Sequence, residues 1–216
     1  MGNFGFSCLR VVNPYAPSFR EARSAVGAAK LLASAEEYKS VAEAVAECTL
    51  VVGTTAARNR ELQQPLKPLA EGARMIRKQL ASRRVALLFG SEKRGLSNQD
   101  LSHCHWLMRI PTLEDLPSMN LGQAVAICLY EMARSTVKAK AALKDRSARA
   151  AELERLTVLL MELLLTSGYA DAGSGYKAEQ KVRRLVRRLA LSSVDAETWL
   201  GMLRQILWKL RSSESR

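Results

Sequence analysis

Val85-Ala86-Leu87-Leu88-Phe89-Gly90-Ser91-Glu92-Lys93-Arg94-Gly95-Leu96-Ser97 is the stretch on which the fold turns. Residues 85–89 are apolar at every position, so a strand here carries apolar side chains on both faces, as a central strand of a parallel sheet does. The run breaks at Gly90 into a charged turn closed by Gly95. Outward from it, short apolar runs at 9–12, 49–52 and 106–110 alternate with helical spacing at 40–48 and 69–80, with a helical turn near 98–101, and with a long helix starting near Asn120. This alternation predicts an α/β fold built on a parallel sheet.

The 216 residues leave room for one full domain and a small second one, at roughly 150 residues per domain. With 48% hydrophobic and 25% charged residues the chain falls in the globular class, which excludes collagen-like and disordered readings. Beyond the long helix a basic, Ala-rich stretch lacks a strong apolar stripe, and three helical segments follow at 151–165, 176–191 and 196–210. The expected organisation is therefore an α/β domain over 1–137, a basic linker over 138–150 and a small all-α domain over 151–216. The net charge of +12 calls for a polyanionic partner, and the excess is densest in the tail, where residues 135–216 hold 16 basic and 9 acidic side chains.

No apolar run approaches the length of a bilayer span, and Phe6 stands where a myristoylation signal needs Ser or Thr. No membrane association and a cytoplasmic location are expected. The four cysteines form no CxxC, and His103, Cys104 and His105 have no further ligand at metal spacing, so no metal is expected and reduced thiols are. Leu96 and Ser97 occupy the places where a P-loop needs Lys and Ser or Thr, and no GxGxxG opens a helix. Taken alone, Gly90 and Gly95 read as a tight turn.

In the second tail segment Val182, Leu185, Val186 and Leu189 share one helical stripe, with Arg183, Arg184, Arg187 and Arg188 on the other side. Arginines four apart repel one another. A phosphate-binding face explains the arrangement, a solvated basic face is the plain alternative, and the net charge favours RNA. Arg77, Lys78, Arg83 and Arg84 form a weaker cluster.

Three stretches together are more specific. Asn3-Phe4-Gly5-Phe6 with Leu9-Arg10-Val11-Val12-Asn13-Pro14, then Leu88-Phe89-Gly90-Ser91-Glu92-Lys93-Arg94-Gly95-Leu96-Ser97, then Ile110-Pro111-Thr112 with Ser118-Met119-Asn120-Leu121-Gly122-Gln123-Ala124-Val125 resemble, in order and spacing, the SpoU/TrmH superfamily of SPOUT-class RNA 2′-O-ribose methyltransferases. The resemblance runs from residue 2 to about 134. The tail, with residues 185–191 followed by the segment holding Trp199 and Trp208, is similar to the C-terminal extension of the TrmJ branch, which methylates the ribose of nucleotide 32 in the tRNA anticodon loop.

The resemblance implies a deep trefoil knot, a rare exception to unthreaded chains. It also implies S-adenosyl-L-methionine held by three loops, here Thr54, Thr55 and Ala56; Gly90, Ser91 and Glu92; and Ile110, Ser118, Met119 and Asn120. Gly90 is expected to keep a side chain out of the ligand space, and Gly90→Val to abolish cofactor binding without unfolding, by intruding on that space and straining the turn. Asn120 and Glu92 become the candidate catalytic residues, with loop capping an equal alternative for each. The family's first motif places a strand, an Asn and the catalytic Arg just before the equivalent of Gly5-Phe6; this sequence joins the pattern in mid-motif, so that Arg is expected upstream of Met1. The expected function is 2′-O-methylation of tRNA by a homodimer formed through the knotted domain. The alternatives are ribosomal RNA as substrate, or a truncated, inactive RNA-binding paralogue.

Overall fold

The computed structural model describes residues 1–13, 27–56, 62–80, 82–116, 118–134, 146–170 and 175–214. Of the linker expected at 138–150, residues 138–145 lie outside the described residues. After a 3-10 turn at Gly2–Phe4 come β1 (Arg10–Val12), α1 (Ala29–Ala33), β2 (Glu36–Tyr38), α2 (Val41–Ala44), β3 (Leu50–Thr54), β4 (Leu66–Pro68), α3 (Leu69–Gln79) and β5 (Val85–Leu88). Then follow α4 (Asn98–Ser102), β6 (Trp106–Arg109), α5 (Leu121–Ala133), α6 (Ala150–Thr166), α7 (Gly175–Arg188) and α8 (Ser193–Glu214).

Four strands form a parallel sheet in the order β4-β6-β3-β5, and β1 and β2 form a separate parallel pair. The central position belongs to β3, whose Val51 and Val52 are fully buried, and not to the 85–89 run. Among the described residues β5 pairs only with β3, at the edge. Its apolar character has a different cause: Val85 and Leu87 pack on the core beneath α3 and α5, and Ala86 and Leu88 on the core of the opposite face. On the first face Leu69, Ala73 and Ile76 of α3, at helical spacing, meet Val52 and Met108. Burying a side chain such as Ile76 contributes about 1.5–3 kcal/mol.

Two strands have no apolar run to announce them. Glu36 of β2 accepts from Arg10 Nε at 2.9 Å and from the Tyr38 hydroxyl at 2.8 Å, and Arg10 donates from Nη1 to the Ala44 carbonyl at 2.8 Å. Glu47 takes up both Arg10 and Arg84. The other, β4, ends in Pro68, which is also the residue preceding α3.

In the tail α6, α7 and α8 close around Leu153, Leu156, Val182, Val186, Leu200 and Leu203. The first turn of α6 docks on the α/β part. The Ala150 N–H donates to the Cys48 carbonyl at 2.8 Å and the Ala151 N–H to the Ala46 carbonyl at 2.9 Å. Ala150 also lies in the core with Val45, Cys48, Leu96 and Leu101. Among the described residues no helix is long and apolar enough to cross a membrane.

Candidate functional site

At the carboxyl ends of β3, β5 and β6 three loops converge on one pocket of about 330 Å³, the place where open parallel sheets bind ligands. Local hydrogen bonds hold the loops together. Thr54 Oγ1 donates to the Leu88 carbonyl at 2.8 Å, and the Thr55 N–H to the Met108 carbonyl at 3.0 Å, so the first loop is tied to the strands on either side. The second loop closes on itself: the Gly95 N–H donates to the Ser91 carbonyl at 2.8 Å, and Gly95 takes a left-handed φ of 65°. Ser97 and Asp100 then form a capping box that starts α4.

The third loop ends at Asn120, which starts α5. Its Oδ1 accepts from the Gly122 N–H at 2.8 Å and the Gln123 N–H at 3.4 Å, satisfying two of the unpaired donors of the helix. That use of Oδ1 fixes the amide, and Nδ2 donates to Glu92 Oε1 at 2.8 Å. Asn120 is therefore both a helix cap and a bridge between the second and third loops.

Thr54, Thr55, Ala56, Gly90, Ser91, Glu92, Ile110, Ser118 and Met119 all line the pocket; Asn120 stands behind it, reaching it through Glu92. Sequence spacing did not find the apolar wall. Leu96, Met108, Leu121 and Ala124 come from three separate parts of the chain, the second loop, β6 and α5, and only the folded topology brings them together. Lys93 and Arg94 add cationic side chains at the rim of the same loop.

At Gly90 a β-carbon would lie 1.9 Å from the Gly95 carbonyl carbon and 2.1 Å from the Leu96 nitrogen, so it collides with its own loop.

The arginine face also needs correcting. Arg183 and Arg187 are 2% and 3% exposed. Arg183 donates from Nε to Glu154 Oε2 at 3.0 Å, from Nη2 to Glu154 Oε1 at 2.8 Å and from Nη1 to Ser102 Oγ at 3.3 Å, and it also pairs with Glu179. Arg187 donates to the Ala150 carbonyl at 3.4 Å and lies 3.6 Å from Glu154. Neither can present itself to a phosphate. The buried arc of α7 is rotated toward them because Glu154 and the end of α4 supply acceptors, and this leaves Leu185 and Leu189 exposed while Val182 and Val186 stay buried. Arg184 is half-buried and Arg188 exposed, and with the exposed Lys177 and Lys181 they make a continuous outer stripe at i, i+4, i+7 and i+11. Burial and the charge of Arg188 lower the pKa of Arg184.

The two histidines are structural. His105 Nδ1 accepts from the Val51 N–H at 3.1 Å, joining β6 to β3, and His103 is buried beside Glu154 at 3.8 Å. Burial pushes each imidazole down to about 4, which leaves it neutral at physiological pH. Among the described residues no three His, Cys, Asp or Glu side chains gather as a metal site.

Residues 1–130 match the SpoU rRNA Methylase family. The tRNA (cytidine/uridine-2'-O-)-methyltransferase TrmJ of Sodalis glossinidius (strain morsitans) is 33% identical over 213 residues, which cover 95% of this chain and 83% of that protein. The same enzyme of Klebsiella pneumoniae is 32% identical, covering 95% of this chain and 87% of its own length. Among solved structures, TrmJ from Z. mobilis ZM4 superposes with a TM-score of 0.85 at 29% identity, over 95% of this chain and 89% of that one.

Proposed function

The chain belongs to the SpoU rRNA Methylase family, and on that premise we propose that it uses S-adenosylmethionine to methylate the ribose 2′-oxygen of tRNA, at nucleotide 32 of the anticodon loop. The observation that carries the reading is the meeting of three strand-end loops at one pocket, bridged by the Asn120–Glu92 hydrogen bond, in a chain similar over nearly its whole length to TrmJ enzymes.

The residues fit the cofactor. Leu96, Met108, Leu121 and Ala124 offer an apolar wall to a purine, and the polar edges meet residues 54–56, 90–92 and 118–119. When bound, S-adenosylmethionine supplies an electrophilic methyl group. The chain's own contribution would be to position the ribose 2′-hydroxyl in line with that methyl group and to accept its proton. Among the described residues Glu92 Oε2 has no protein partner, and Asn120 holds the other carboxylate oxygen, so Glu92 is set to accept the hydrogen bond of the ribose hydroxyl.

Lys177, Lys181, Arg184 and Arg188 supply the phosphate contacts. The outer side of α5, where Ile127 and Tyr130 are 37% and 53% exposed and Phe4 stacks edge-on against Tyr130, supports a homodimer through the α/β part. A trefoil knot belongs to this reading, supported by the parallel ladders of β3 with β5 and β6 and the convergence of their loops. The site of action is the cytoplasm, where tRNA is modified. Nucleoside mass spectrometry of tRNA from a deletion strain tests the proposal. Loss of 2′-O-methylcytidine and 2′-O-methyluridine at position 32 is expected, and unchanged levels of both refute it.

A further inference from the structure

The tail meets the pocket-bearing part through an ion cluster built of buried side chains. Glu154 of α6 lies between Arg183 and Arg187 of α7, and Arg183 reaches across to Ser102 at the end of α4. Arg183 and Arg187 are balanced by Glu154 and Glu179, and neutral His103 fills the space beside them. A fork–fork pair of this kind fixes orientation as well as distance. Two further connections matter. Helix α4 follows directly from the loop Gly90–Leu96 through the Ser97 cap, and α7 carries Lys177, Lys181, Arg184 and Arg188 on the side opposite the cluster. Arg183 and Arg187 thus lie between the pocket loop and the outer cationic stripe.

We propose that Arg183 and Glu154 are positioning residues that hold the cationic stripe of α7 at a fixed place relative to the pocket, so that one RNA must reach both, and that RNAs too short to span the two lose the tail's share of affinity. The inference rests on the tRNA reading above. A charge-balanced, desolvated clasp costs more to break from one side than to replace as a whole, because a lone partner leaves an uncompensated buried charge. Two binding surfaces held rigidly act on one ligand with a high effective concentration, and loosening one lowers it.

The test compares an unmodified full-length tRNA transcript with the anticodon stem–loop excised from it, both measured by equilibrium binding to the whole chain. Arg183→Ala and the isosteric Glu154→Gln are expected to weaken the full-length tRNA by about tenfold or more while moving the stem–loop by less than about twofold. The combined apolar replacement Arg183→Met, Arg187→Met and Glu154→Leu refills the space without charge and is expected to restore full-length affinity. Circular dichroism identifies any variant that fails to fold, and the combined replacement, which strands no buried charge, keeps the comparison available in that event. Three results overturn the proposal: unchanged tRNA affinity in both single variants, an equal loss for the stem–loop, or a combined variant as weak as Arg183→Ala, which would mean that the arginines touch RNA themselves. Failure of the unaltered chain to bind tRNA overturns the functional reading as well; the other three leave that reading standing.

Discussion

Replacing Gly90 by alanine adds one carbon, and the structure says where it goes. The new atom would stand 1.9 Å from the Gly95 carbonyl carbon, 2.1 Å from the Leu96 nitrogen and 2.4 Å from the Gly95 oxygen, against ordinary contact beginning at 3.4 Å. Relief therefore requires the two arms of the loop to part by roughly 1.5 Å, the difference between 3.4 and 1.9 Å. No rotamer can absorb it, because every atom struck is backbone. Overpacking of this kind costs about 1–3 kcal/mol, and backbone contact puts Gly90→Ala at the upper end. Part of the strain falls on stability through Leu96, which is buried in the core. Whatever is relieved by opening the loop falls on the pocket; at about 1.4 kcal/mol per factor of ten, the cofactor weakens by as much as about a hundredfold. Gly95→Ala is the control, since its β-carbon meets nothing within 4 Å and only the left-handed φ of 65° is strained, at about 1–2 kcal/mol. Isothermal titration with S-adenosylmethionine and urea unfolding of both variants decide the matter. If Gly90→Ala binds normally and is as stable as its parent, or if Gly95→Ala proves the more damaging, the closed-loop argument is wrong.

Converting Lys177, Lys181, Arg184 and Arg188 together to glutamine should reduce the slope of log affinity for tRNA against log salt by about 3 to 4; filter binding over a salt series measures it, and an unaltered slope removes α7 from the RNA contact. Asn120→Asp keeps an acceptor for the Gly122 and Gln123 N–H groups but places a carboxylate beside Glu92, whereas Asn120→Ala also loses the cap, at about 1 kcal/mol. Thermal melts should rank Asn120→Ala as the less stable while methyl transfer falls in both, and a fully active Asn120→Asp would show that Glu92 needs no such partner. His103 titrates at about 4 when folded against an ordinary 6.5, so below pH 6.5 the unfolded chain binds a proton that the native chain refuses. Stability then falls as the pH drops from 6.5 toward 4, by roughly 1–1.5 kcal/mol at pH 5.5 for this residue, and His105 acts in the same direction. Urea midpoints at pH 7.5 and 5.5 should show the loss, smaller in His103→Gln; a variant with the same pH dependence as its parent would remove His103 from the account.

What could be read in the sequence follows from what each residue interacts with. The β3, β5 and β6 strands are legible because their apolar side chains meet cores on both faces of the sheet, a property written locally. The β2 strand, with two glutamates in three residues, is held by Arg10, 26 residues away, and no window of sequence contains that bond. Likewise the proline that ends β4 argues against a strand until Leu66–Pro68 is seen pairing with β6 at the sheet edge. At the site, the loop motifs supplied the residues on the rim, but the wall formed by Met108, Leu121 and Ala124 needs the chain's path through space. The phase of α7 is not written locally, for the same reason. Periodicity treats every arginine as outward-facing, and it was Glu154, 29 residues earlier, that drew Arg183 inward.

The main-chain bonds from Ala150 and Ala151 to Cys48 and Ala46 tie the first turn of α6 to the segment between α2 and β3. Because the atoms involved are common to nearly all amino acids, the join itself is indifferent to most side chains: position 151 is restricted only by its partial burial, and position 150 by what fits a residue 1% exposed. Proline alone is barred from both. It is ordinarily welcome at the first position of a helix, where its missing N–H has no duty; here that N–H already serves the Cys48 carbonyl. The seam between the two parts is therefore a place where relatives can diverge almost without trace in composition, while a single imino acid would unfasten it.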